Sequence, residues 1–323
     1  MSNSNQLEMM ERIALDLEGV ERALASSFNT GSEDFNTLIR PLSEAGGKRL
    51  RAQLCLLIAN AGTSVEAERI KIAEAVEMLH LATLIHDDVL DQAEIRRGEE
   101  TIHKHKGNKV AILSGDYLFA KAFRIVSEMP HMEYLKVFSH IITCLVEGEF
   151  MQMEDVYRIN QGIDRYMTKT QKKTADFMEG CMELGGLLGG WSSDEIMYLK
   201  RYGHALGMAF QITDDIMDYR ETSDTTGKPV GNDLREGLLT YPLLSIVNES
   251  NQNQLLQDIK NLNHGGNEQE IIDYVIAQGG IDNTLRVAQQ YCDDALSALQ
   301  SIRDFDGKEF LVLAVQNLAD RKV

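Results

Sequence analysis

Two aspartate clusters with the same spacing are the residues of this sequence best suited to chemistry. They are Asp87–Asp91, which reads DDVLD, and Asp214–Asp218, which reads DDIMD. On a helix the first and fifth residues of such a cluster share one face, about 6 Å apart along the axis. Carboxylates this close repel each other unless a hard divalent cation binds between them, and oxygen-only ligands suit Mg²⁺. If the two clusters face each other, their six aspartates would surround a diphosphate bridged by several Mg²⁺ ions.

The alternative is a pair of solvated acidic helix ends, which would explain a single cluster equally well. Two copies with the same spacing and with apolar residues between the acids favour the metal site. Acidic side chains at the C-terminal end of a helix also oppose the helix dipole, which destabilises the helix unless a cation binds there.

Cationic side chains that could bind phosphate oxygens lie around both clusters. Gly46–Arg51 (GGKRLR) combines two flexible glycines with three cations, although a basic surface turn would have the same composition. His80 lies about 10 Å before Asp87 along one helix face, where a structural histidine is the alternative. The candidate cations, in chain order, are Lys48, Arg51, His80, Arg96, Arg97, Lys173 and Lys228. Arginine in particular suits bidentate contacts with phosphate.

Both clusters must be positioned by helices, because apolar residues recur at helical spacing before each of them. Thr63 and Glu66 are spaced as a capping box for a helix over 66–92, and Ser192 and Glu195 as another for a helix over 194–219. Helical periodicity also covers 7–28, 109–128, 132–153, 164–189, 268–278, 281–303 and 307–321. No convincing strand pattern competes with these helices, and the stretches 220–237 and 248–266 are interpreted as long loops.

The composition supports an all-α fold and limits the partners. The 323 residues include only four prolines and are rich in residues that favour helices. A single domain over 1–323 is expected, because the candidate residues are spread from 46 to 233 without a linker-like segment.

The net charge of −18 argues against a nucleic-acid partner. The four scattered cysteines are expected to be buried, reduced thiols. Since no apolar run is long enough to cross a bilayer, we expect a cytoplasmic protein with at most peripheral membrane contact.

Together these segments resemble the trans-isoprenyl (polyprenyl) diphosphate synthase family from Gly46 to Pro242. The matching motifs, in the family's order and approximate spacing, are GGKRLR, LHLATLIHDDVLD followed by RRG, KKTA, FQITDDIMD and GKPVGNDL. The resemblance implies an all-α bundle of helices around a deep central cavity, usually in a dimer. It also implies Mg²⁺-dependent head-to-tail condensation of isopentenyl diphosphate with an allylic diphosphate such as farnesyl diphosphate, with three Mg²⁺ ions in each active site.

The resemblance also assigns roles to individual residues by position. Those that would coordinate Mg²⁺ are Asp87, Asp91 and Asp214, with supporting metal-site roles for Asp88, Asp215 and Asp218. Those that would bind isopentenyl diphosphate are Lys48, Arg51, His80 and Arg97. Those that would bind the allylic diphosphate are Arg96, Lys173 and Lys228, with Gln211 nearby, and Thr174 is a further substrate-binding candidate. The expected catalytic set is Asp87, Asp91 and Asp214 with Arg96, Lys173 and Lys228, which would stabilise the negative charge of the departing diphosphate.

The segment after the second cluster departs from the family pattern. The family commonly has Gly-Lys-x-Thr-x-Pro there, whereas Gly237–Pro242 reads GLLTYP, so Leu238 replaces a phosphate-facing lysine. The segments LATLIHDDVLDQAEIRRG and SGDYLFAKAF look most like catalytic components of two-component heptaprenyl diphosphate synthases. We therefore expect a heptaprenyl product, destined for menaquinone biosynthesis, and either a homodimer or a heterodimer with a smaller, non-catalytic subunit.

Product length should follow the depth of the cavity below the first cluster. Ala82 and Thr83 lie about one turn before Asp87, on the face expected to line that cavity. Both are small, whereas in this family an aromatic residue here acts as a floor, so a long product is expected. Phe119 and Phe123 are candidates for a deeper wall, although core packing would explain either one.

Other functions stay open beside this one. One is a shorter-chain, geranylgeranyl synthase. A terpene cyclase would share the first cluster, but its second motif normally mixes Asn, Ser or Thr with Glu, and it would lack GGKRLR. A non-catalytic regulatory or binding subunit on the same scaffold typically loses one cluster, whereas this chain keeps both.

Overall fold

The computed structural model describes residues 3–28, 31–44, 49–96, 98–220 and 231–319, which are almost entirely helical. In chain order the helices are α1 (Asn3–Ser27), α2 (Glu33–Glu44), α3 (Leu50–Asn60), α4 (Glu66–Leu90), α5 (Ile102–Lys106), α6 (Asn108–Ser127), α7 (Met132–Asp155), α8 (Ile163–Thr170), α9 (Asp176–Leu188), α10 (Ser193–Arg220), α11 (Asn232–Glu236), α12 (Tyr241–Leu244), α13 (Gln252–Asn261), α14 (Glu268–Ala277), α15 (Gly280–Gln300) and α16 (Lys308–Ala319). A π-helical segment, Gln171–Ala175, joins α8 to α9, and a 3-10 turn, Leu262–His264, follows α13. Within the described part of the chain the only strands are β1 (Ile95–Arg96) and β2 (Glu99–Glu100), which pair antiparallel. The all-α prediction is confirmed.

The helices predicted from periodicity are all present, with ends that differ by a few residues. Periodicity missed several shorter helices. For α3 the reason is burial: Ala52 and all of 54–60 are buried, so this helix has no polar stripe. The interpretation of 248–266 as a long loop is wrong, because α13 lies within it.

Only one of the two predicted capping boxes forms. Ser192 Oγ accepts the N–H of Glu195 at 3.3 Å, and Glu195 Oε2 accepts the N–H of Ser192 at 3.1 Å. The box predicted at Thr63 is wrong, because Val65 immediately precedes α4 and makes no side-chain cap. The N–H of Thr63 instead donates to the carbonyl of Gly189 at 3.0 Å, so tertiary packing holds this turn.

The helices form two compact units, and unit 1 comprises Met1–Ser139, Gly180–Met197 and Asp304–Gly307. A buried polar cluster joins three of its helices: Arg69 Nε of α4 lies 2.9 Å from Asp16 Oδ2 of α1, and Asn60 Nδ2 of α3 donates to the same oxygen at 2.7 Å. Burying such groups is favourable only when they are paired in this way.

Glycines let two helices of unit 1 approach closely. A Cβ at Gly185 would lie 2.6 Å from the carbonyl oxygen of Cys55 on α3, closer than real side chains come. Glycine at this position therefore allows the close packing of α9 against α3, since any larger side chain would clash.

Unit 2 comprises His140–Glu179, Tyr198–Arg303 and Lys308–Val323. The buried apolar face of α10 packs in its core, and Tyr202 of that helix donates to the carbonyl of Leu311 at 2.9 Å. Each unit combines separate segments of the sequence, so neither corresponds to one continuous stretch. The single domain over 1–323 stays a prediction. None of the helices described is both long and apolar enough to span a bilayer.

Candidate functional site

The first aspartate cluster lies at the C-terminal end of α4, in unit 1. Asp87 is half-buried, Asp88 is buried and Asp91 is exposed. The N–H of Asp91 donates to the carbonyl of Asp87 at 2.8 Å, so a helical hydrogen bond spans the cluster. Asp87 and Asp91 are consequently the members of this cluster that a ligand reaches most easily.

An arginine of the hairpin after α4 holds Asp88. Arg96 Nε donates to Asp88 Oδ1 at 2.6 Å. Arg96 belongs to the first strand of the hairpin and pairs with Glu99 of the second. A phosphate that binds Arg96 would have to compete with Asp88 for its guanidinium. Arg97, the other arginine of this segment, lies outside the described residues.

Two predicted isopentenyl diphosphate ligands, Arg51 and His80, come together in unit 1. Arg51 Nη1 lies 3.5 Å from His80 Nε2, and both side chains are half-buried. Burial lowers the pKa of Arg51 below its ordinary value. The glycines of the GGKRLR segment and Lys48 lie outside the described residues.

Arg49 fixes the start of α3 beside Arg51, a role that the sequence did not reveal. Its backbone is left-handed, with a φ of 44°. Its guanidinium lies 2.8 Å from Glu21 and 3.3 Å from Glu77. Burial opposes the charge of Arg49, but the hydrogen bond to Glu21 and the charge of Glu77 outweigh it and raise its pKa. A sequence signal was available, because Glu77 is an acid on the buried face of α4.

The second aspartate cluster lies near the C-terminal end of α10, in unit 2. Asp214 is exposed, Asp215 is buried and Asp218 is half-buried. Asp215 Oδ2 accepts a hydrogen bond from the hydroxyl of Tyr166 at 2.5 Å, and its Oδ1 accepts one from Gln211 Nε2 at 2.9 Å. Burial raises the pKa of Asp215 to about 6, although both hydrogen bonds favour the charged form. Asp214 is therefore the member most accessible to a ligand.

Asp218 holds the start of α11. Its Oδ1 accepts the N–H of Asn232 at 3.0 Å, and its Oδ2 accepts the N–H of Asp233 at 3.1 Å. Burial raises the pKa of Asp218, whereas these backbone donors favour the carboxylate. The predicted phosphate ligand Lys228 lies in 221–230, outside the described residues.

The KKTA segment forms the π-helical turn between α8 and α9, where two lysines pair with carboxylates of α7. Lys173 Nζ lies 2.5 Å from Glu149 Oε2, and Lys172 Nζ lies 2.5 Å from Glu147 Oε2. Glu147 is exposed and Glu149 is only 19% exposed. A diphosphate bound by Lys173 would therefore compete with a partly buried carboxylate.

Thr174 and Gln211, both predicted to bind substrate, are in contact. Thr174 Oγ1 donates to Gln211 Oε1 at 2.9 Å, while Gln211 Nε2 donates to Asp215. Gly207 permits the approach of the two helices, because a Cβ there would lie 2.6 Å from Cα of Ala175. A continuous chain of hydrogen bonds thus links the KKTA segment to the second cluster.

Two of the chain-length candidates lie on α4 just before the first cluster. Ala82 is fully buried, whereas Thr83 is half-buried and donates to the carbonyl of His80 at 2.8 Å. Any aromatic side chain at Ala82 must therefore displace packed neighbours, while Thr83 offers more room.

The other two chain-length candidates lie one turn apart on α6. The ring of Phe119 lies 5.5 Å from the imidazole of His86, the residue before Asp87. The ring of Phe123 packs edge-on against Phe138 at 5.6 Å and borders an open cleft of about 560 Å³. Phe119 is thus the aromatic residue nearer the first cluster.

A further group in unit 2 has ligand types that could hold a metal ion. One donor atom each of Asp176, Glu179 and His204 lies within 4.8 Å of the others. Lys200 Nζ also lies 3.5 Å from Glu179. Burial opposes the charge of Glu179, but His204 and Lys200 outweigh it and lower its pKa. These contacts describe an ion-pair cluster within the part of the chain that is resolved here.

The candidate residues divide between the two units. Unit 1 contains the first cluster with Arg51, His80 and Arg96, and unit 2 contains the second cluster with Lys173, Thr174 and Gln211. Within each unit, acidic and basic residues that are far apart in the sequence lie close together. The apposition of the two clusters stays a prediction.

A helical fold with an aspartate cluster ending each of two long helices defines an isoprenoid-synthase class of protein. The Polyprenyl synthetase family model matches residues 32–278 of the chain. The chain belongs to this family, the trans-isoprenyl diphosphate synthases, which are prenyltransferases.

Similarity to named relatives extends over most of the chain. This chain is 32% identical over 312 residues to octaprenyl diphosphate synthase of Escherichia coli, and the aligned region covers 95% of this chain and 96% of that protein. It is 32% identical over 288 residues to heptaprenyl diphosphate synthase component 2 of Geobacillus stearothermophilus, covering 89% and 90%. The crystal structure of a polyprenyl synthase from Caulobacter crescentus, complexed with calcium and isoprenyl diphosphate, matches with a TM-score of 0.88 at 30% identity and covers 100% of this chain and 98% of that one. The names of these relatives indicate medium or long polyprenyl products without fixing one length.

Proposed function

We propose that the chain is a catalytic prenyl diphosphate synthase that adds isopentenyl diphosphate head to tail to an allylic diphosphate such as farnesyl diphosphate. The observation that carries the proposal is that both aspartate clusters are complete, each on a long helix with candidate cations in the same unit. In both clusters one aspartate is buried and bound to protein donors, while at least one other is exposed. A heptaprenyl product is the proposed length, and use of that product in menaquinone biosynthesis stays a prediction.

The donor set suits Mg²⁺, because the accessible side chains of both clusters offer only carboxylate oxygens. Asp87, Asp91 and Asp214 would hold the ions directly, and Asp88, Asp215 and Asp218 would support them. Bound Mg²⁺, proposed as three ions, would neutralise the diphosphate and so make it a better leaving group. The hydrogen bonds of Tyr166 and Gln211 to Asp215 would keep the second cluster in position for this role.

Two sets of cationic residues would each bind one of the two substrates. Arg96, Lys173 and Lys228 would bind the allylic diphosphate and stabilise the charge that develops on it. Lys48, Arg51, His80 and Arg97 would bind isopentenyl diphosphate, and the contact between Arg51 and His80 supports a shared subsite. Thr174 and Gln211 would orient the allylic substrate beside the second cluster.

The reaction that we propose needs no protein nucleophile. The allylic carbon–oxygen bond breaks with its electron pair leaving on diphosphate, and the double bond of isopentenyl diphosphate forms the new carbon–carbon bond. One proton then leaves the adduct, and we propose that the departed diphosphate accepts it.

A dimer is also proposed, either of two identical chains or with a smaller, non-catalytic subunit. Val146, Phe150 and Met153 support it, because these exposed apolar residues are spaced four and three apart on one face of α7. Leu238, in place of the family's lysine, is compatible with the heterodimer. Sedimentation of wild type and of Phe150→Glu would test this surface, and an unchanged oligomeric state would contradict it.

Turnover is the direct test of the proposed function. The purified chain is incubated with labelled isopentenyl diphosphate, farnesyl diphosphate and Mg²⁺, with and without a candidate small subunit, and the products are separated by chromatography. We expect a labelled polyprenyl product of about the heptaprenyl length that is lost when EDTA is added. Geranylgeranyl diphosphate as the end product would support the shorter-chain alternative. No turnover under any pairing would support the non-catalytic subunit.

A further inference from the structure

A buried lysine of α8 takes no part in the roles assigned above. Lys169 is 7% exposed. Its Nζ lies 5.9 Å from the centre of the Tyr166 ring, a cation–π contact. Within the part of the chain that the structure describes, Lys169 makes no hydrogen bond and no ion pair. Burial of an ammonium group without such partners is strongly unfavourable, so a ligand that binds it would relieve a real cost.

Two carboxylates lie near Lys169, and three of their four oxygens accept hydrogen bonds from other donors, whereas Asp155 Oδ2 is buried without a hydrogen-bond partner. Burial lowers the pKa of Lys169, and the negative charges of Asp155 and Asp215 oppose this shift. Arg165 Nε donates to Asp155 Oδ1 at 2.6 Å. Both oxygens of Asp215 accept hydrogen bonds, from Tyr166 and Gln211. Lys169 therefore adds positive charge beside the second aspartate cluster, four residues before Lys173.

The segment that carries Leu238 packs along the same region of unit 2. The carbonyl of Gly237 accepts the N–H of Tyr157 at 2.8 Å. The carbonyl of Leu239 accepts a hydrogen bond from Gln161 Nε2 at 3.3 Å. The ring of Tyr241 lies 5.7 Å from that of Tyr166, the ring that Lys169 also contacts. The segment that carries Leu238 therefore reaches the ring of Tyr166, against which the ammonium group of Lys169 lies.

We infer that Lys169 binds the diphosphate group of the allylic substrate and supplies, from α8, the positive charge that the family usually places at position 238. The inference rests on the proposed function and extends it by one binding residue. The ring of Tyr166 would hold the lysine side chain in position, while the hydroxyl of the same tyrosine holds Asp215.

Binding of inorganic diphosphate in the presence of Mg²⁺, measured by calorimetry, tests this inference. Lys169→Met removes the charge and keeps the volume, so the fold should persist. We expect the Kd to rise about tenfold or more, as for loss of a hydrogen bond to a charged group. Lys172→Met is the matched control, because Lys172 carries the same charge, lies three residues after Lys169 and pairs with exposed Glu147. The Kd of this control should change less than about twofold.

The Leu238→Lys variant makes the test independent of the stability of Lys169→Met. If Lys169 already supplies the charge, Leu238→Lys should hardly change the Kd of the wild type but should restore binding in the Lys169→Met background. An equal gain in both backgrounds would overturn the inference.

The remaining outcomes separate this inference from the proposed function. An unchanged Kd in Lys169→Met with a lowered unfolding midpoint would assign Lys169 to an internal contact with Asp155 and overturn the inference alone. Failure of wild type to bind diphosphate with Mg²⁺ and to turn over substrates would overturn both.

Discussion

The hydrogen bond between Tyr166 and Asp215 offers the sharpest test of how the second cluster is held. Tyr166→Phe deletes only a hydroxyl, on a side chain that is 2% exposed, and leaves the ring packed against Tyr241. Asp215 is 5% exposed and would keep Gln211 as its other donor. A hydrogen bond to a charged group contributes about 1.5–3 kcal/mol, and a buried acceptor left with one donor cannot turn to water instead. We expect the free energy of unfolding to fall by about 1.5–3 kcal/mol.

A double-mutant cycle with Asp215→Asn isolates this pair, with unfolding by urea in EDTA as the assay. Asp215→Asn removes the charge, so Tyr166→Phe should cost about 1 kcal/mol or less in that background. The coupling energy should thus exceed about 1 kcal/mol. A coupling energy near zero, with equal costs in both backgrounds, would refute the claim that Tyr166 holds the charged form of Asp215.

Three further results are expected. Gly115→Ala places a Cβ 2.2 Å from His86 Nε2, so it should displace the imidazole of this neighbour of Asp87 from the carbonyl of Ile112, which it contacts at 3.2 Å; an unchanged NMR signal of the His86 ring would contradict it. Ala82→Phe should shorten the product to about the farnesyl range on chromatography, with some loss of stability because Ala82 is fully buried. An unchanged product length would refute the cavity assignment. Thr83→Phe is the comparison variant that should strain the fold less. Burial raises the pKa of Cys55 and of Cys144 to about 12, so native thiols should resist a disulfide reagent at pH 8 and react only in denaturant. Because these thiols stay protonated in the folded state, their contribution to stability is present below the thiol pKa of the unfolded chain and falls as the pH rises from about 9 towards 12.

The fold could be predicted from sequence where a long run of residues keeps the spacing of a helix. The helices α4 and α10 are long enough for their recurring apolar residues to predict them, although α4 is buried continuously over 72–79, and their aspartate clusters end them as expected. The helix α3 was missed because it is buried on nearly all sides, which leaves no periodicity to detect. Local spacing likewise suggested a cap at Thr63, where a tertiary hydrogen bond to Gly189 decides the geometry instead.

The candidate site could be predicted as a set of residue types but not as a set of contacts. Spacing indicates that three aspartates share a helix end, yet it cannot distinguish Asp215, which is held by a tyrosine 49 residues away in sequence, from exposed Asp214. Among the cations of GGKRLR, only the structure shows that Arg49 pairs with buried Glu77. Lys169 was not singled out, because the sequence around it gives no sign that it is buried.

The central claim is that both clusters act together in prenyl transfer, and kcat measured on aspartate variants tests it most directly. Asp87→Asn and Asp214→Asn should each lower kcat by about a hundredfold or more, as expected when charge stabilisation of a transition state is lost. Asp294→Asn, an exposed aspartate of α15, is the matched control and should retain wild-type turnover. If Asp214→Asn turned over at the rate of Asp294→Asn, the second cluster would have no part in catalysis and the account would be wrong.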